Sequence, residues 1–165
     1  MTLSEKSNQP LNDFYRYLWD ILGIYRSLVP VLQDELHAIE EDNIDLLDKS
    51  MKSQQSLLLK TRSFDATVTN HLADLGYPVG KLSELTDLLP EEEKSAFTQL
   101  LDQFSLTLAE VTFYKEKCNT LLQSKLYSID KYLETYTVQK DNITYDDKAG
   151  EIQTSLFSKS FEKKI

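Results

Sequence analysis

The sequence predicts an all-α protein, an elongated antiparallel three-helix bundle or coiled-coil hairpin with a flexible C-terminal tail. Three observations carry that expectation. Four glycines and four prolines in 165 residues leave little material for turns, so the elements must be few and long. Apolar residues recur every three or four positions through most of the chain, which is the period of a helix face and not of a strand face. Residues 90–136 carry that period without an internal glycine or proline. At 1.5 Å per residue they make a helix of roughly 70 Å, too long for a compact domain of this size. The expected division is an antiparallel helical domain over residues 1–136 and a tail over 137–165 that becomes partly helical on binding.

Residues 1–9 are polar and are expected to fray. Pro10 opens the first helix, with Leu11, Phe14, Leu18, Ile21, Tyr25, Leu28, Leu32, Leu36 and Ile39 spaced by threes and fours and one extra four from Leu32 to Leu36. Tyr15, Tyr17, Trp19, Leu22, Ile24 and Val29 lie outside that stripe. A helix apolar nearly all round is covered on more than one side, here by the core, by a dimer seam or by a bound client. Asp13, Arg16, Asp20 and Arg26 do not form the basic polar face of a membrane-surface helix. Pro30 removes a backbone donor and is expected to kink or interrupt the helix.

The run Glu40-Glu41-Asp42-Asn43 puts negative charge where a helix end favours cations, and Asp42 or Asn43 can cap the next helix, so a tight reversal is expected. A single second helix of about 32 residues then carries Ile44, Leu47, Met51, Leu58, Phe64, Val68, Leu72 and Leu75. Gly76 followed by Tyr77-Pro78 stops it. Residues 79–89 form a connector with room for one or two helical turns capped by Ser83, with Glu84 and Asp87 in the first turn. Pro90 suits the first position of the long helix, and Glu91, Glu92 and Glu93 sit at the positive end of its dipole. Its stripe is Phe97, Leu101, Phe104, Leu108, Val111, Cys118, Leu122, Ile129, Leu133 and Tyr136, with Lys115 as the break.

The unequal lengths point to a site. Roughly 48 Å of second helix against roughly 70 Å of long helix leaves the last dozen residues of the latter beyond the hairpin. Leu126, Ile129, Leu133 and Tyr136, flanked by Tyr127 and Tyr132, then lack an intramolecular partner unless the tail or a second chain covers them. Bare apolar stripes mark binding sites. After Tyr136 the period fails, and residues 146–150 look like a turn or open loop. The last segment carries Ile152, Leu156, Phe157, Phe161 and Ile165 at spacings near four. It is too short to be helical alone and is expected to order only against a partner, either the client or the body of the protein.

Charge and chemistry exclude several classes. The net charge is −9, from 18 basic and 27 acidic residues. Residues 137–165 hold five of each, so 13 basic and 22 acidic side chains remain for residues 1–136. Such a body does not replace the counterions of a nucleic-acid backbone. The first ten residues lack an apolar h-region and no 18-residue apolar run occurs, so neither a signal peptide nor a membrane span is expected and the protein reads as cytoplasmic. The one cysteine, Cys118, lies on the long stripe and fits a small core residue in a reducing compartment. Glycines at 23, 76, 80 and 150 cannot build a phosphate loop. Asp34-x-x-His37 is half of a helical metal pair, but a bundle site needs such a pair on two helices with further Glu, and His71 has Asp74 in the reverse order. No metal, cofactor or catalytic residue is expected.

Several segments together resemble a known family. They are the acidic Leu32-Gln33-Asp34-Glu35, the break at Glu41-Asp42-Asn43, Lys52 leading to Leu57-Leu58-Leu59, Asn119-x-x-Leu122, the tail Ile143-Thr144-Tyr145-Asp146-Asp147-Lys148-Ala149-Gly150, and the closing Phe161-x-Lys163-Lys164-Ile165. From about residue 11 the chain looks like FlgN, the bacterial flagellar export chaperone. That resemblance implies a cytosolic helical chaperone which holds the C-terminal helical segments of the hook-filament junction proteins FlgK and FlgL and delivers them to the type III export gate. The client side would be Leu126, Ile129, Leu133, Tyr136, Ile143, Leu156, Phe157 and Phe161, and the gate side Tyr145. A homodimer in the free state and a structural coiled-coil adaptor with permanent helical partners both stay open.

Overall fold

The computed structural model describes residues 9–77 and 80–137 of the chain. Five helices occur among them, α1 (Gln9–Glu40), α2 (Ile44–Lys60), α3 (Phe64–Asp74), α4 (Leu82–Leu88) and α5 (Glu91–Thr137), and no strand. The chain runs up through α1, down through α2 and α3, and up again through α5, with the short α4 packed on α5. Side-chain pairs fix the directions. Phe97 meets Phe14, Tyr114 meets Gln33 and Lys125 meets Glu40, so α5 is parallel to α1. Gln54 meets Glu35 and Phe64 meets Tyr17, so the middle leg is antiparallel to both.

α1 is the central element. It packs against α5, α2 and α3, which accounts for its wide apolar surface except at Trp19, which stays exposed. Phe14, Leu18 and Leu22 are fully enclosed, and Tyr15, Tyr17, Ile24 and Val29 pack against the same core. The expected disruption at Pro30 does not interrupt the helix. Pro30 and Arg26, whose carbonyl loses its donor, both lie on the exposed face, so water can take the place of the missing hydrogen bond.

The α1–α2 reversal is built from two caps in succession. Asp42 adopts φ 55°, and the Asn43 and Asp42 amides donate back to Ala38 O and Ile39 O at 2.8 and 3.4 Å, the paired bonds of a Schellman closure. Asn43 then caps α2, its Oδ1 accepting from the Leu46 amide at 3.0 Å. The cation missing from the end of α1 comes from α5, where Lys125 donates to Glu40 O at 3.2 Å and Asp42 Oδ1 at 2.6 Å. Gly76, at φ 71°, repeats the closure after α3.

Several expectations need correction. The second leg is two helices, because residues 61–63 form a tighter turn: the Thr61 amide and hydroxyl both donate to Leu58 O, at 3.0 and 2.9 Å. The same kind of hydroxyl bond is made by Thr69 and Thr135 inside unbroken helix, so it accompanies the turn at Thr61 and does not by itself cause it. Lys81, not Ser83, precedes α4, and Ser83 lies within that helix. Pro90 stands just before α5, its carbonyl accepting from Glu93 and Lys94.

The inward face of α2 also differs from the apolar stripe. Ile44 is 70% exposed and Met51 is exposed, while Ser50 and Gln54 are buried. Opposite them on α1 the buried position is Glu35, with Leu36 only partly covered. Gln54 Nε2 donates to Glu35 Oε2, and Lys115 Nζ donates to Gln54 Oε1 at 3.3 Å and stands 3.7 Å from Glu35 Oε1. One polar cluster therefore joins all three legs. It explains the Lys115 break and the uneven step from Leu32 to Leu36: the core register runs Leu32, Glu35, Ile39.

Candidate functional site

α5 outlasts the bundle, and its side chains record where cover ends. Cys118 is 1% exposed, Leu122 37% and Leu126 52%. Lys125, bonded to the α1–α2 turn, is the last residue of α5 shown touching another element. Residues 126–137 continue for about 18 Å beyond it. Leu126, Ile129, Leu133 and Tyr136 are all more than half exposed and continue the core face of Val111, Cys118 and Leu122 at spacings of three and four. The stripe that seals the core thus carries on into solvent.

The flanks are aromatic and lightly charged. Tyr132 and Tyr136 stand with ring centroids 4.8 Å apart, and Tyr127, 64% exposed, has the Lys131 ammonium 5.6 Å from its ring centre. Lys131 also pairs with Glu134 at 2.8 Å. Ile44 begins α2 beside the turn that Lys125 holds, so its exposed side chain lies at the end of the bundle from which the overhang projects. The sequence period put Ile44 on the apolar stripe of the second helix. Its position directly after a cap gave no signal, since Phe64 and Leu82 hold the same position in α3 and α4 and are buried.

The other candidate groups have structural roles. Cys118 is buried and donates to Leu32 O at 3.6 Å. Burial, reinforced by the nearby Glu35, pushes its thiol up to about 11, so the nucleophilic thiolate is suppressed. His71 stacks on Phe14 at 5.1 Å and packs against Tyr17. His37 lies 3.6 Å from Glu41 at the surface. Among the described residues no group of three or more His, Cys, Asp or Glu could hold a metal ion, and no helix is long and apolar enough to cross a membrane. Ile143, Tyr145, Leu156, Phe157 and Phe161 lie outside the described residues.

What the arrangement offers is a single helix face about three turns long, with anchors at i, i+3, i+7 and i+10 counted from Leu126. That face suits an amphipathic helix supplied by a partner. Comparison with known proteins adds a family. The family described as FlgN protein matches residues 11–152, a span that takes in Ile143 and Tyr145 and stops short of Leu156, Phe157 and Phe161. No curated protein and no solved structure matches the chain.

Proposed function

From the premise that this chain belongs to the FlgN family of flagellar export chaperones, we propose that it binds the C-terminal helical segments of FlgK and FlgL in the cytoplasm and presents them to the type III export gate. The observation that carries this reading is the solvent-exposed continuation of the core stripe, Leu126, Ile129, Leu133 and Tyr136. A client segment that has no partner for its own apolar face folds against that stripe and extends the bundle by one helix. Ile143, Leu156, Phe157 and Phe161 then close over the client from the tail. Binding alone withholds the client from premature assembly, so no cofactor and no catalytic group is required.

Tyr145 is the proposed contact to the export gate. Tyr145→Ala should leave the client complex intact in solution while lowering secretion of the client from cells. Loss of the complex itself would remove Tyr145 from the gate role.

Size-exclusion chromatography with light scattering tests the central reading, on the full chain and on a chain ending at Thr137, each mixed with the FlgK or FlgL C-terminal segment. A one-to-one complex with the full chain that weakens on truncation supports it. If neither chain binds and the full chain is an obligate oligomer, the stripe is a self-association seam and the structural-adaptor reading takes its place. The surplus apolar surface of α1 is taken up in the core at Tyr15, Tyr17, Leu22, Ile24 and Val29, while Trp19 stays exposed.

A further inference from the structure

We propose that residues 152–165 of the same chain dock on the α5 stripe when no client is bound, so that the stripe is self-covered and a client gains it by displacing the tail. The displacement step rests on the client reading above; the docking step does not.

Four observations select this occupant. The chain continues directly from the tip of α5, so residues 138–165 are tethered to the surface they would cover. A flexible coil of about fourteen residues, the length of 138–151, would have a root-mean-square reach of roughly 20 Å, close to the length of the overhang. A tether matched to the distance it must span gives an effective concentration on the order of millimolar. The segment beyond it carries Phe157, Phe161 and Ile165 at spacings of four, one face of a helix if it becomes helical against the stripe.

Charge agrees with this pairing. Residues 159–165 hold Lys159, Lys163 and Lys164 against Glu162, a net of +2. The overhang holds Asp130, Lys131 and Glu134, a net of −1, on a body that carries the whole −9 of the chain. A second copy of the chain is a poorer occupant. Two stripes laid together bring about five side chains a side, against roughly 20–30 residues a side in a stable protein interface, and without the tether they gain no effective concentration.

Hydrogen exchange of the α5 amides at residues 126–137 tests the inference on the full chain alone, with no client present. The comparison is a full-length Phe157→Asp/Phe161→Asp variant, with circular dichroism to show that its bundle melts as the parent does. At millimolar effective concentration a contact with a millimolar dissociation constant covers the stripe about half the time. The parent should therefore exchange at least about twofold more slowly than the variant, independently of protein concentration. Equal rates overturn the proposal. Slowing that grows with protein concentration also overturns it, in favour of a second copy. Failure of the client reading would leave this comparison unchanged.

Discussion

At the residue scale the Glu35 carboxylate holds two partners at once, Gln54 of α2 and Lys115 of α5. Glu35→Ala removes the acceptor they share and is expected to cost about 2–3 kcal/mol in urea unfolding, toward the low end because Lys115 keeps some solvent. The triple replacement Glu35→Leu, Gln54→Leu and Lys115→Met should be close to neutral or stabilising, since well-packed apolar groups avoid the cost of burying charge. The cluster was half legible in the sequence. Lys115 and the step from Leu32 to Leu36 each stood out as a fault in a helical stripe, but nothing in either helix says that the two faults face each other. Gln54 gave no signal, because an apolar choice, Ile44-Leu47-Met51, offered a better-looking face. Protonation adds a second prediction. Burial raises the Cys118 thiol from 9.0 to about 11 and the Tyr25 phenol from 10.0 to about 12. Both groups hold their protons more tightly when folded, so their contribution is fully present below about pH 9 and is lost as pH rises through 9–11 and 10–12. Thermal melts should fall across that alkaline window. A midpoint that stays level to pH 12 would contradict the burial of both groups.

At the element scale, α5 is one helix with two environments. Val111→Asp places a charge in the core and should destabilise by more than about 3 kcal/mol, whereas Ile129→Asp on the overhang should stay within about 0.5 kcal/mol of the parent. Equal losses in chemical denaturation would mean that the overhang is packed. The α1–α2 turn gives a finer test. Asp42 adopts the left-handed conformation and also pairs with Lys125. Asp42→Gly relieves the backbone cost while Asp42→Ala keeps it, and both lose an exposed ion pair of small worth, so the glycine variant should be the more stable by about 1 kcal/mol. Helix ends marked by residue type were readable in advance: Gly76 suits the left-handed conformation it adopts, and Asn43 supplies the side chain that caps α2. The break at residues 61–63 was not, because Thr61, Arg62 and Ser63 include neither glycine nor proline to mark it.

At the scale of the whole molecule the lengths decide where the bare stripe lies. Legs of roughly 48 Å cannot cover a helix of roughly 70 Å, and the surplus falls at the end that carries Leu126, Ile129, Leu133 and Tyr136. That much could be counted from the sequence, since it needs only the two stop signals and the rise per residue. The occupant could not, because any amphipathic helix satisfies the same stripe; membership of the FlgN family narrows the choice to flagellar clients. The most direct test is isothermal titration of the FlgK or FlgL C-terminal segment into the parent chain and into a Leu126→Asp/Ile129→Asp/Leu133→Asp variant with an unchanged melting profile. Three lost anchors at upward of about 1 kcal/mol each predict binding at least about 100-fold weaker in the variant. Equal affinity in the two proteins would show that the client binds elsewhere.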